Sequence, residues 1–263
     1  MVKLKSLNKN FKELLNLIKL TGKDGSGSTG DLIYGCVLKA QDKIYCNALS
    51  ENGVGMIKLI YNEIIIEEQG ELAIGDIQEV LSCLNRFSDD EEIIISIVED
   101  KMHILRENPK KLISLNITSE GYISESLRAD ELVKDVVVAE DYAQIKEIKL
   151  NTKIKIDCKI IKEILLDAEI KNISRRFEFL ITTEKLICEI GEKNRTIVIN
   201  ESNVEIRGDT CKSTFIAGID NVFNNIDGEV FIYMTNDAPM IIRKTTNNYE
   251  AVYLIAPVCE IED

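Results

Sequence analysis

The chain has 263 residues, enough for one large domain or two of ordinary size with a real core. Its 45 acidic against 32 basic residues leave a formal charge of -13, which excludes a protein that holds nucleic acid by overall charge and requires a local basic patch for any such contact. Seven cysteines (Cys36, Cys46, Cys83, Cys158, Cys188, Cys211 and Cys259) show no CxxC spacing, which points to reduced thiols inside a cell.

The first segment, MVKLKSLNKN, lacks the apolar core of a secretory signal, and no apolar run approaches the roughly 18 residues that span a bilayer. The expectation is a soluble intracellular protein of the cytoplasm or nucleus, and the richness in Lys, Ile and Asn is compatible with an AT-rich genome. The first helical period puts Leu7, Phe11, Leu14, Leu15 and Ile18 on one stripe and Lys9, Lys12, Asn16 and Lys19 on the other face. TGKDGSGSTGD (21–31) lacks the GxxxxGK[ST] order of a phosphate cradle and reads as a flexible surface loop. DLIYGCVLKA, IYCNAL and GMIKLIYNEIIIE follow as strands, by their β-branched content and turn punctuation.

The second helix, DIQEVLSCLNRF, turns Ile77, Val80, Leu81 and Leu84 inward and Glu79, Ser82 and Arg86 outward. After the acidic turn SDDEE (88–92) come the strands EEIIISIVE, KMHILRE and KLISLNI. Residues 119–150 are more charged and less periodic than their flanks and read as a long interdomain connector with room for a strand or short helix. The third helix, CKIIKEILLDAEI, buries Ile161, Ile164, Leu165 and Ala168 and exposes Lys159 and Lys162; the fourth, AGIDNVFNNID, buries Ile219, Val222, Phe223 and Ile226. Strands FEFLITT, KLICEIG and RTIVIN lie between them, and GEVFIYM, PMIIRK and EAVYLIA end the series.

The two halves align. KLKSLNKNFKELL matches KIKIDCKIIKEIL without a gap, pairing Lys3 with Lys153, Lys5 with Lys155, Lys9 with Lys159 and Lys12 with Lys162. AIGDIQEVL is then like FIAGIDNVF, and HILR like MIIR, as the offset drifts from 150 to about 140. A period this long predicts two copies of one domain: 1–118 and 151–263, joined by 119–150.

Catalysis finds no support. His103 is the single histidine and reads as a packed or rim residue, there is no Cys/His set for zinc, and no cofactor motif is present. The lysine faces recur at matching positions, and helices lining one concave surface would turn them toward a phosphate backbone.

FKELLNLIKL, GVGMIKLIY, ELAIGDIQEVLSCLNRF with EEIIISIVED, KIIKEI, and above all APMIIRK with YEAVYLIAPVCEIED make the whole chain resemble the sliding clamps of the proliferating cell nuclear antigen type. The resemblance implies an α+β fold of two tandem similar clamp domains, each with two helices packed on antiparallel sheets, forming a ring. It implies no enzyme activity and no cofactor. The expected role is a processivity factor that encircles duplex DNA without sequence specificity and tethers a DNA polymerase. A clamp-loader ATPase would place it, and other proteins would dock through short peptides.

By position, Lys12, Lys19, Lys159 and Lys162 are the implied DNA-facing residues, with Lys9 and Arg86 added on helical geometry; Glu79, Ser82, Asp220 and Asn225 stand where basic residues are expected and weaken the inner field. The partner-peptide pocket would be Gln41, Tyr45, Pro239, Leu254, Ala256, Pro257 and Cys259, the last standing where a larger aliphatic is usual. Pro257 would end strand pairing and leave the following chain free to pair with a peptide. Leu112, Ser114 and Asn116 on one edge strand would meet Thr196, Val198 and Asn200 of a neighbour, closing a homotrimer. A specialised or checkpoint subunit of a heterotrimeric ring, and an acidic protein-interaction module that never encircles DNA, are the alternative readings.

Overall fold

In a computed structural model, the described residues are 2–23, 28–98, 101–116, 120–169, 175–191, 195–200, 204–216 and 218–258. In the first half, β1 (Lys3–Leu7) leads into α1 (Asn8–Lys19), and β2 (Thr21–Lys23) pairs with β3 (Thr29–Asp31). Next come β4 (Cys36–Ala40), β5 (Ile44–Leu49), β6 (Gly55–Tyr61), β7 (Ile65–Glu68), β8 (Gly70–Ile74) and α2 (Ile77–Leu84). β9 (Glu92–Val98), β10 (Lys101–Arg106) and β11 (Lys111–Asn116) close this half. Between the halves lie α3 (Glu120–Lys134) and a small sheet of β12 (Val136–Val138), β13 (Ala143–Ile145) and β14 (Ile148–Leu150). The second half opens with β15 (Thr152–Asp157), α4 (Cys158–Glu169), β16 (Phe177–Ile181), β17 (Lys185–Ile190) and β18 (Arg195–Asn200). It continues through β19 (Val204–Arg207), β20 (Cys211–Phe215), α5 (Ile219–Phe223), β21 (Glu229–Met234), β22 (Met240–Thr245) and β23 (Tyr249–Ile255).

The two halves use one pairing scheme. β1 lies between β7 and β9, as β15 lies between β19 and β21; β4 pairs with β5 and β8, as β16 pairs with β17 and β20. The result is a nine-stranded sheet, β19-β15-β21-β22-β23-β6-β5-β4-β8, beside a five-stranded sheet, β11-β10-β9-β1-β7, and a four-stranded sheet, β18-β17-β16-β20. The large sheet is a five-strand block and a four-strand block, fused where β23 runs antiparallel to β6 from Tyr249↔Tyr61 to Ile255↔Gly55.

Helical period and burial agree at Phe11, Leu14, Leu15 and Ile18 in α1, and at Ile77, Val80, Leu81 and Leu84 in α2. They agree equally at Ile161, Ile164, Leu165 and Ala168 in α4. Leu7 departs from its stripe because it ends β1 and is exposed. α5 is shorter than the period predicts, although Ile226 beyond its end is still buried. At the start of α1 the buried Asn8 side chain donates to the carbonyls of Leu84 and Phe87, each at 3.0 Å, and so locks the helix onto the end of α2. Asp76 caps α2 through the Glu79 amide at 2.9 Å.

Both ends of the glycine-rich stretch pair as β2 and β3, α5 packs against β2, and residues 24–27 lie outside the described residues. Gly22 has no substitute there: a Cβ would lie 2.5 Å from the backbone nitrogen of Asn221. Asn221 in turn donates to the Leu20 carbonyl at 2.8 Å, and Asn225 to the Thr21 carbonyl at 2.8 Å, which ties the halves together on the helix side.

The connector differs most from expectation. Ser126, Ala129 and Val133 form a narrow buried stripe of small residues that lets α3 lie on β4 and β5, and Val136, Ala143 and Leu150 join Met56, Tyr233, Ile241 and Val252 in a second core on the outer sheet face. Among the described residues no helix is long and apolar enough to cross a membrane.

Candidate functional site

The helix faces carry the first candidate site. Lys9 and Lys159 are exposed at the starts of α1 and α4, and Arg86 is exposed just past α2. Lys12 reaches Asp89 at 2.8 Å, and Lys162 reaches Asp227 at 2.5 Å. The hydrogen bond from Lys162 holds the Asp227 carboxyl below its ordinary value, against a smaller opposing effect of burial. Lys19 is a correction to the expected outward face: it is only 9% exposed, donates to the Gln78 side chain at 2.5 Å and lies 3.4 Å from Asp31. It lies in the last turn of α1, where the chain folds back through Leu20 in the left-handed region, so its ammonium is drawn inward.

Two residues expected to weaken the field also sit differently. Asp220 is buried against Arg175, whose guanidinium bonds both carboxylate oxygens, and Asn225 spends its amide on the Thr21 and Asn221 carbonyls. Glu79 and Ser82 remain exposed on α2.

The expected peptide pocket maps onto the outer face of the nine-stranded sheet. Tyr45 pairs across to Ile60 and thence to Glu250, whereas Leu254 pairs with Met56 and thence with Leu49. The two therefore share a face but sit four residues apart along the strands. Gln41 is exposed in the β4–β5 turn, and Tyr45 donates to Asp42 at 3.0 Å, a bond that raises the phenol above its ordinary range. At the other end Pro239, Leu254, Ala256 and Pro257 are half-buried, and Leu254 packs on the connector's core.

Val258, the one described residue after Pro257, is not free in the way the sequence suggested. Ala256 N–H donates to the Val54 carbonyl and Val258 N–H to the Thr214 carbonyl, each at 2.8 Å. β20 and the loop before β6 offer acceptors that a proline only one residue away does not disturb. Cys259 lies outside the described residues.

Sequence reasoning missed what covers this face. Asp130 of α3 accepts from Lys39 and from Asn47, the latter at 2.7 Å, so that the helix is pinned beside the Tyr45 row. Burial works against Asp130's ionisation, but those two bonds still hold its carboxyl below the ordinary range. A cavity of about 110 Å³ lies alongside, lined by Lys58, Ile60, Val136, Val138, Glu250 and Val252. The one signal in the sequence was the spacing of Ser126, Ala129 and Val133, whose small side chains give little hydrophobic contrast.

The third candidate is two sheet edges, β11 and β18, each the last strand of its sheet among the described residues. On β11, Leu112, Ser114 and Asn116 are exposed while Ile113 and Leu115 turn toward the core. On β18, Thr196, Val198 and Asn200 pair with Glu189, Ile187 and Lys185 of β17, and the opposite edge of the strand ends its sheet. His103 is half-buried on β10 and shares a 3.0 Å hydrogen bond with Ser114, a rim position. Among the described residues no group of three or more His, Cys, Asp or Glu is placed to hold a metal.

A twice-used arrangement of strand, helix and antiparallel sheets, fused through one continuous sheet, defines the fold of the DNA sliding clamps. This chain has that fold in its proliferating cell nuclear antigen form. The clamp from Entamoeba histolytica superposes with a TM-score of 0.73 at 14% identity, covering 98% of this chain and 99% of that one. The A. fulgidus clamp bound to the C-terminal region of FEN-1 gives 0.70 at 15% identity with both chains fully covered. The clamp from Thermococcus kodakaraensis gives 0.69 at 15% identity, covering 98% of this chain and all of that one. No family model matches the sequence, and no curated relative matches it.

Proposed function

We propose that this chain is a subunit of a ring that encircles duplex DNA, tethers a DNA polymerase as a processivity factor, and performs no chemistry of its own. In this reading residues 1–118 and 151–263 are tandem clamp domains and 119–150 joins them. One observation carries it: the four- and five-stranded sheets have the strand orders of the two blocks already fused in the nine-stranded sheet. The bond made inside the chain by β23 and β6 therefore has an unmade counterpart, β11 of one copy against β18 of the next. Leu112, Ser114 and Asn116 would face Thr196, Val198 and Asn200 across it. A head-to-tail joint of this kind builds rings, and by likeness to the clamp fold three copies close one.

Lys9, Lys12, Lys159, Lys162 and Arg86 would face the DNA. A clamp-loader ATPase would open the ring, and partner proteins would dock short peptides on the outer face near Tyr45 and Leu254. The A. fulgidus structure, which holds the C-terminal region of a partner, supports that mode. The pairing of Lys12 and Lys162 with aspartates is what favours the rival reading, an acidic interaction module with no DNA in it.

Light scattering at micromolar concentration tests assembly: a particle of about three times 29.7 kDa is expected, and a persistent monomer counts against a homomeric ring and for the heterotrimer or the module. Primer extension on a circular template with cognate polymerase and loader tests function. Unchanged product length would rule out the processivity role.

A further inference from the structure

The lysine–aspartate pair of the helix face occurs twice. Lys12 of α1 and Lys162 of α4 are matching positions, and each is bridged to an aspartate in the loop that joins its half's second helix to the next strand: Asp89 between α2 and β9, Asp227 between α5 and β21. A second pair repeats nearby, Lys5 with Glu92 and Lys155 with Glu229, at 2.8 and 2.9 Å. The exposures within the helix-face pairs are unequal. The lysine side chains are 19% and 27% exposed, whereas Asp89 and Asp227 are 69% and 89% exposed. Each lysine stem is laid on the protein, and the carboxylate caps its ammonium on the solvent side.

Exposed pairs of this kind contribute only about 0.2–1 kcal/mol each, too little to explain them as supports of the fold. An anion arriving from solvent meets the negative charge of the more exposed carboxylate and competes with it for the ammonium. Exchanging a carboxylate for a phosphate oxygen leaves the number of charge-assisted hydrogen bonds unchanged.

We infer that Asp89 and Asp227 are built-in stand-ins for DNA phosphate: they compete for Lys12 and Lys162, orient them, and keep the hold on duplex weak enough to slide. This rests on the DNA-encircling reading and adds two positioning residues to it. At these two positions the ammonium is paired when the wall is empty, and a phosphate contact there is gained in competition with an internal one.

The test is equilibrium binding of the assembled protein to a short linear duplex over a series of salt concentrations. Four forms are compared: wild type, D89N/D227N, K12A/K162A and E79Q/E163Q, the last losing the same two charges from exposed positions on α2 and α4. D89N/D227N is expected to bind on the order of 2- to 30-fold tighter than wild type. Its plot of log affinity against log salt should steepen by roughly 1–2. E79Q/E163Q should change affinity less, and K12A/K162A should weaken binding. Equal gains from D89N/D227N and E79Q/E163Q would overturn the competition and leave only bulk charge, with the DNA-facing assignment intact if K12A/K162A still binds worse. K12A/K162A binding like wild type would remove the DNA-facing assignment itself, and the competition with it.

Discussion

Arg175 and Asp220 face each other with both side chains only 5% exposed, and the guanidinium bonds both carboxylate oxygens. The pair ties the segment entering β16 to the first turn of α5, and Arg175 also lies over the Phe177 ring. Asp220 is thus a structural tie and not a negative charge on the helix wall. Removing Arg175 takes two charge-assisted hydrogen bonds from a buried carboxylate, a loss of about 1.5–3 kcal/mol. R175A should lower stability by that amount in urea titration. A loss near zero would mean that the rest of Asp220's surroundings hold its carboxylate without the arginine.

Lys19 predicts a contrast within one helix. Its ammonium is held between Gln78 and Asp31, while Lys9 at the other end of α1 is exposed. K19M should therefore cost stability, about 0.5–1.5 kcal/mol for the hydrogen bond it loses, and leave the salt dependence of duplex binding unchanged. K9A with K159A should do the reverse. Melting curves and a salt titration on the same samples separate the two, and a weakened duplex affinity in a K19M protein of normal stability would return Lys19 to the DNA-facing set.

Much of this was legible because hydrophobic period is a strong signal. Ile77, Val80, Leu81 and Leu84 are buried where a 3.6 repeat puts them, and the ungapped match of Lys3–Leu15 to Lys153–Leu165 marked the repeated scheme. What period does not report is where a long side chain sends its charged end. Lys12, Lys19 and Lys162 fall on one face by spacing, yet one is drawn inside and two are capped, because their partners Asp31, Gln78, Asp89 and Asp227 lie far off in sequence. The docking of α3 was hidden for a related reason: its buried stripe is Ser126, Ala129 and Val133, too small to stand out from a charged segment.

That docking has a pH signature. Asp130 is held below its ordinary value in the folded chain by Lys39 and Asn47, so its contribution is fully present above the unfolded value near 3.8 and is lost as pH falls through the lower folded one. The contact between α3 and β5 should accordingly be constant from pH 5 to 8 and fail only in acid. D130A should release it at neutral pH, seen as faster amide exchange in 126–134 with the exchange of β22 and β23 unchanged. Equal protection in wild type and D130A would show that the apolar stripe alone holds the helix.

The edge joint makes the sharpest prediction about assembly. Leu112 is exposed on β11 and Thr196 on β18, and among the described residues both strands end their sheets with no strand paired on one side. A lysine on each edge leaves the monomer's core untouched, since neither side chain packs in it, but places like charges along the line where β11 and β18 would meet. L112K/T196K should therefore keep the wild-type far-ultraviolet spectrum while its particle mass falls to that of one 29.7 kDa chain. The β23–β6 joint inside each chain is the internal control, because it carries neither substitution and should keep its slow amide exchange. If the double variant keeps the wild-type particle mass, the copies do not meet through these edges, and the likeness between the fused and unfused sheet blocks has no counterpart between chains.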